Sequence, residues 1–305
     1  MTTKALVVDP SAPAALRLAD VPDPKPAPGQ ALVDVHHVSL HYGDLNDAKS
    51  GRVPPGAVLG SDLAGVVAVA AADGTGPAAG TRVVALAQGA FARRCAVEVS
   101  ALADVPESVE LATAAALPVA GIAALQALRA GWPLAGSRVL VTGASGGVGR
   151  FAVQLAADAG AAVVASVGSV ARGEPLRKLG AEQVVVGLEG IDEQVDLVID
   201  NVGGQQLVAA WALLAPGGTL QSIGWTSGEP AVFSPYSTIG PPKSLTSFLI
   251  QADAVGADLA ALVGLVADGR LTAQIGWRGS WKRVADAADA LRGRRVDGKA
   301  VLDVR

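Results

Sequence analysis

Two rhythms of apolar and polar residues divide the chain. Up to about residue 110 the apolar residues come in short runs: Ala5 to Val8, Ala31 to Val38, Gly65 to Ala70, Arg82 to Ala87 and Ala92 to Val97. Runs of this length, bounded by Pro and Gly, predict strands. The breaks between them include PDPKPAPG at 22–29 and ADGTGPAAG at 72–80, which hold the residue types that tight turns require. This half therefore reads as an antiparallel β domain.

From about residue 115 strands alternate with helices. Val139 to Thr142 is an apolar, β-branched run, glycines cluster at Gly143, Gly146, Gly147 and Gly149, and Phe151, Val153, Leu155 and Ala156 follow at helical spacing. Further strands are predicted at Ala161 to Val167, Glu182 to Val186, Asp196 to Asp200 and Thr219 to Gly224, with a short helix around Leu176 and another from Leu207 to Leu214. Repeated βα units predict an α/β fold with a doubly wound parallel sheet. A loop with four prolines, Glu229 to Lys243, then leads to an edge strand at Leu245 to Ile250. Helices at Ala254 to Asp268 and Trp281 to Leu291 and a strand at Gly298 to Val304 complete the pattern. The longest uncharged run, Leu111 to Leu128, is about long enough to cross a bilayer. It is alanine-rich and broken by Pro118 and Gly121, which predicts a buried helix instead.

Composition narrows the class. Half of the 305 residues are apolar and 17% are charged, which excludes a disordered chain and allows two domains. A net charge of −4 gives no electrostatic basis for binding nucleic acid or an anionic membrane. Cys95 is the only cysteine, so neither an intrachain disulfide nor a cysteine-based zinc centre can form. Together with His36, His37 and His41 it cannot furnish both a catalytic and a structural zinc site, and the expectation is no metal. The first strand, from Lys4 to Val8, lacks the apolar core of a signal peptide, so a reducing cytoplasm is the expected location.

The strand, glycine turn and helix around Gly146 follow the order needed to seat a dinucleotide diphosphate on a helix N-terminus. The spacing is AxGxxG, with Ala144 at the first glycine position. The backbone amides of Ser145, Gly146, Gly147, Val148 and Gly149 are the expected diphosphate ligands. An NAD-specific fold ends its second strand in a carboxylate for the ribose 2′-hydroxyl. Here that strand ends in Ser166 and Val167. Arg172 follows five residues later, and it can pair with a 2′-phosphate alongside a hydroxyl from Ser166 or Ser169. Asn201 to Gly203, and Gly224 with Trp225, follow successive strands at the carboxyl edge, where ligands gather in such sheets. Trp225 either caps a substrate pocket or packs against the proline-rich loop.

Several stretches, nearly end to end, carry a resemblance: SLHYGDL (Ser39 to Leu45), GSDLAGVV (Gly60 to Val67), LPVAGIAALQAL (Leu117 to Leu128), TGASGGVGRFAVQLA (Thr142 to Ala156), RKLGAE (Arg177 to Glu182), DNVGG (Asp200 to Gly204) and DGKAVL (Asp297 to Leu302). In this order and spacing the chain resembles the zinc-independent quinone oxidoreductase branch of the medium-chain dehydrogenase/reductase superfamily. The resemblance implies a GroES-like catalytic domain at 1–115 completed by 251–305, a Rossmann domain at 116–250, NADPH as cofactor and a homodimer formed through the Rossmann sheets. Zinc-dependent relatives carry a His-Glu pair where Ser61 and Asp62 stand.

Without a metal, the substrate implied is a small molecule with an already activated π system, a quinone or an α,β-unsaturated carbonyl compound. Hydride at the β-carbon of an enone places negative charge on the carbonyl oxygen, so donors and a proton source are needed. The candidates are Tyr42, His41 and backbone amides, with Asp44 orienting the loop. His41 replaces an asparagine common in relatives, and Ala123 a threonine. Two other readings stand beside this one, an enoyl-thioester reductase and an NADPH-binding sensor without turnover.

Overall fold

The computed structural model describes residues 2–131 and 133–305. The chain divides into two units, Met1–Ile122 with Gln251–Arg305, and Ala123–Ile250. The elements are β1 (Thr2–Val8), β2 (Leu16–Pro22), β3 (Gln30–Leu40), α1 (Tyr42–Lys49), β4 (Asp62–Val69), β5 (Arg82–Leu86), β6 (Arg94–Glu98), β7 (Leu102–Asp104), α2 (Leu111–Ala115) and α3 (Pro118–Leu128). Next come β8 (Arg138–Val141), α4 (Gly147–Asp158), β9 (Ala162–Val167), α5 (Val170–Gly173), β10 (Gln183–Val186), β11 (Val195–Asp200), α6 (Gly204–Leu213), β12 (Leu214–Ser222) and β13 (Ser244–Ser247). The last are α7 (Val255–Ala267), β14 (Ile275–Ser280), α8 (Val284–Arg292) and β15 (Lys299–Asp303). The division falls inside α3 rather than at residue 116.

The first unit is the GroES-like part. Its main sheet runs β14-β15-β3-β4-β5-β7, with β6 also pairing with β3, and β1 and β2 form a separate antiparallel ribbon. The C-terminal strand β15 lies antiparallel to β3, so Leu302 faces Val38 and Ala300 faces Leu40 across the ladder. Its apolar residues are fully buried, as a strand inside a sheet requires. Ala287, Ala288 and Leu291 of α8 join Val33, Val35 and Val38 of β3 in one core.

The second unit is a six-stranded, wholly parallel sheet in the order β10-β9-β8-β11-β12-β13. Numbered from β8, this is 3-2-1-4-5-6, the order of a Rossmann sheet, which reverses between β8 and β11. Strands buried on both faces explain the unbroken runs at Val139–Val141 and Val163–Ala165. The edge strand β13 is four residues long and exposed throughout.

The run from Leu111 to Leu128 folds as two helices because Pro118 starts a new one at a position that needs no amide donor. Among the described residues no helix is long and apolar enough to cross a membrane. Among the described residues, β2, α1, β7 and β14 lie outside the sequence pattern. The sequence of α1, YGDLNDAK, has no apolar stripe, and it is held instead by its cap and by buried Leu45 and Ala48.

Candidate active site

The dinucleotide turn is built within the second unit. Gly143 adopts φ +59, the left-handed region that costs a glycine nothing. That places the strain one residue before Ala144, which explains why an alanine fits the first motif position. The helix then passes close over the turn. A Cβ on Gly149 would lie 2.4 Å from the Gly143 carbonyl oxygen and 2.6 Å from Ala144 Cα. Gly146 is the N-cap of α4 and makes no side-chain cap bond, so the first amides of the helix are left for a ligand. Ser145 is buried and its carbonyl accepts from Arg150 Nε at 3.2 Å. These residues fit a dinucleotide diphosphate: the approach is close, side-chain-free and on the electropositive end of a helix.

Beyond β9 the hydroxyls differ from one another. Ser166 is buried, donates to the Gly187 carbonyl at 2.6 Å and accepts from Gln206 Nε2 at 2.8 Å. Its single proton is spent on the protein, which removes it as a donor to a 2′-phosphate. Ser169 is exposed and is the N-cap of α5 without a side-chain cap bond. Its carbonyl accepts from the Arg172 amide at 3.2 Å, so the two residues share one turn.

At the carboxyl edge Asp200 organises two loops. Its buried carboxylate accepts from Thr142 Oγ1 at 2.6 Å and from the Gly203 amide at 2.9 Å, while the Asn201 side chain donates to the Thr142 carbonyl at 2.9 Å. Burial pushes Asp200 above the usual carboxylate range, and the Thr142, Gly203 and Val202 bonds pull it back. Trp225 packs on Gly203, where a Cβ would come within 2.6 Å of the indole, and its ring nitrogen donates to the Glu229 carbonyl. The indole thus rests on Gly203 and the start of the proline-rich loop while half of it stays exposed. Gly224 is tight for a local reason as well, since a Cβ would meet the Asn201 carbonyl oxygen at 3.0 Å. Thr142, Asp200 and Gln206 were absent from the sequence-based set; a polar residue closing each of two apolar strands was the available signal for the first two.

The polar cluster of the first unit gathers around the end of β3. His41 is the N-cap of α1 in a reciprocal box: its Nδ1 accepts from the Asp44 amide at 3.4 Å, and Asp44 Oδ2 accepts from the His41 amide at 3.0 Å. The Asp44 carboxyl is fully enclosed, and burial pushes it up to about 6 against the pull of His41 and Lys299. The phenol of Tyr42 donates to the Leu291 carbonyl of α8. In this arrangement the hydroxyl of Tyr42 fastens α1 to α8.

Asp62 and Lys299 were missed as a pair. They form a buried ion pair at 3.1 Å, and the other Asp62 oxygen accepts from the Val119 amide at 2.9 Å. Both carboxylate oxygens of Asp62 are thus taken by donors, and Ser61 beside it is a poor zinc ligand. Burial pushes the Cys95 thiol up to about 12, far from the thiolate a metal requires. Among the described residues no group of three or more His, Cys, Asp or Glu stands together as a cation site, so these side chains do not fit zinc.

Comparison with known proteins agrees with both halves of the fold. Residues 27–117 match the alcohol dehydrogenase GroES-like domain family, and residues 177–302 match the family described as zinc-binding dehydrogenase. Acryloyl-coenzyme A reductase of Metallosphaera sedula is 30% identical over 239 residues, covering 67% of this chain and 72% of that protein. The polyketide synthase protein NorB of Streptomyces orinoci is 34% identical over 215 residues, 66% of this chain. This chain spans only 10% of NorB's length. The quinone oxidoreductase of Coxiella burnetii superposes with a TM-score of 0.87 at 27% identity, over 100% of both chains. Mycobacterial Rv1454c, solved as a complex with NADPH, superposes with a TM-score of 0.87 at 28% identity, over 99% of both. The chain belongs to the medium-chain dehydrogenase/reductase superfamily of oxidoreductases, in the zinc-independent, quinone oxidoreductase-like branch.

Proposed function

We propose that this protein is an NADPH-dependent reductase that transfers hydride to a quinone or an α,β-unsaturated carbonyl compound without a metal. The observation that carries the reading is the turn before α4, closed so tightly by Gly149 that only a side-chain-free backbone faces the helix N-terminus. A reduced nicotinamide supplies the hydride when bound, and the protein's tasks are to hold it, exclude water and place donors. The amides of Gly147, Val148 and Gly149 hold the diphosphate. Asp200, through Thr142 and Gly203, fixes the two loops that lie at the carboxyl edge of the sheet. Ser169 and Arg172, on a turn whose preceding strand ends in Val167 and not in a carboxylate, favour a 2′-phosphate.

An enoyl thioester is the second substrate reading, and the likeness to acryloyl-coenzyme A reductases supports it. NADPH oxidation measured against a quinone, a 2-enal, a cyclic enone and an enoyl thioester is expected to show turnover with the first three classes. Preference for the thioester would transfer the assignment to that reading. Silence with every acceptor, alongside tight NADPH binding, would identify a sensor and overturn the proposal. NADPH is expected to bind about tenfold more tightly than NADH, or better, with the preference lost in Arg172→Ala. Equal affinities in a fluorescence titration would remove the 2′-phosphate site.

A homodimer is part of the same reading. The exposed edge of β13 presents unpaired backbone groups, and Leu245, Leu249 and Ile239 are exposed in or beside it. Such an edge is satisfied by a second copy of itself. Sedimentation at micromolar protein should give twice the chain mass of 30.3 kDa. A monomer at every concentration would refute it.

A further inference from the structure

The end of β3 holds a polar cluster larger than a helix cap needs. Ser39 lies opposite Asp62 in the β3–β4 ladder, and Lys299 precedes Ala300, the partner of Leu40. Directly opposed residues share a face of a sheet, so Ser39 and Asp62 meet on one side. Lys299 reaches the same side through its ion pair with Asp62. Asp44 is enclosed over this group and senses the charges of His41, Asp62 and Lys299. Two buried polar atoms here lack a hydrogen-bond partner, Ser39 Oγ and His41 Nε2. Native proteins leave few such atoms unpaired, and those that remain call for an explanation.

The two ring nitrogens of His41 face different surroundings. Nε2 is turned inward, 3.4 Å from Asp44 Oδ2, within ion-pair range but without a hydrogen bond. Nδ1 lies under Gly43, which is exposed, and a Cβ at residue 43 would come within 3.0 Å of it. One nitrogen thus has a carboxylate beside it, and the other accepts the Asp44 amide next to exposed Gly43. A carboxylate that holds one edge of an imidazole while the opposite nitrogen exchanges a proton is a working acid–base arrangement. Tyr42, the competing donor, is fastened to Leu291.

We propose that His41 is the proton donor of the reduction, releasing its proton from Nδ1 beside Gly43 while Asp44 holds the opposite edge of the ring. The inference rests on the reductase reading above. Hydride adds to the β-carbon of the acceptor, and the displaced π pair becomes an enolate. The Nδ1–H bond of the imidazolium then breaks, its proton joins the α-carbon, and the bonding pair stays on Nδ1. That new lone pair is caught by the Asp44 amide, the 3.4 Å cap bond seen here. The charged ring cannot accept that bond, so protonation opens the cap and proton release closes it. The ring, whose side chain is 23% exposed, recharges from solvent. Asp44 of α1 is the charged group beside the ring, and Asp44 in turn senses Asp62 from β4 and Lys299 from β15.

His41→Asn is the central test, because asparagine caps a helix at least as well as histidine and keeps α1 folded. With an acceptor that the wild-type protein reduces, kcat is expected to fall about 100-fold while KM stays within about threefold, the size expected for a lost general acid. The wild-type rate declines as rising pH discharges the imidazolium, and His41→Asn loses that alkaline limb. Gly43→Ala should lower kcat by crowding Nδ1. In cofactor-free protein the Asp44 amide resonance should follow the ionisation of the ring and cease to do so in His41→Asn. Unchanged kcat and an unchanged alkaline limb in His41→Asn, with an active wild type, overturn this inference alone. A wild type silent toward every acceptor overturns the reductase reading and this inference with it.

Discussion

Lys299→Met is expected to cost about 3–5 kcal/mol of stability, the range for stripping one partner from a buried ion pair. The ammonium and the Asp62 carboxylate are 4% and 0% exposed, so neither reaches the solvent that would screen it. Removing the lysine leaves Asp62 charged, enclosed and held by the single Val119 amide, and it adds to the like charge that already burdens Asp44. The double variant Lys299→Met with Asp62→Asn should recover most of the loss, because an amide oxygen still serves the Val119 N–H and no net charge is left in the core. Urea unfolding of the two variants beside the wild type measures both effects. A single-variant loss below about 1 kcal/mol would mean that the pair is solvated in solution.

The second large effect belongs to the glycine turn. Gly149→Val puts a branched Cβ where Gly143 O, Ala144 Cα and Ala144 C lie at 2.4, 2.6 and 2.8 Å. These are backbone atoms of one turn and cannot swing aside, so α4 must lift away from β8 and its first amides must turn from the diphosphate. NADPH affinity is expected to fall by about 100-fold or more, roughly 3 kcal/mol. Gly146→Ala is the control, since its Cβ would meet only Gly143 O, at 3.3 Å, and a loss of less than about tenfold is expected there. Equal losses at the two positions in a calorimetric titration would show that glycine content matters here and the crossing of helix over turn does not.

What could be read from the sequence was local. The AxGxxG turn needs only a strand, three small residues and a helix in order, and all of that lies between Val139 and Ala156. The strands of the parallel sheet were equally readable because both of their faces are buried, so their apolar runs are unbroken. The helix α1 was not, since its sequence lacks an apolar stripe and its start depends on a histidine cap, a residue type rarely placed there. The bond made by Tyr42 was not legible for a related reason. Its phenol is oriented by a carbonyl on α8, 249 residues away in sequence, and nothing around Tyr42 encodes that partner. Lys299 and Asp62 each stand at the start of an apolar strand, and only the antiparallel placing of β15 beside β3, with β4 on the other side of β3, brings them together.

That same strand order bears on how the protein is made. During synthesis, β3 leaves the ribosome early and pairs with β4 along one edge and with β6 at Gln30–Asp34 of the other, but the strand that completes this second edge at His37–Leu40, β15, is translated only after the entire Rossmann unit. Until then the nascent chain carries an open strand edge and an Asp62 without its lysine. A chaperone that shields exposed β edges should therefore dwell longest on translation intermediates lacking residues 299–303, and ribosome-bound chains stalled before and after that point would reveal it.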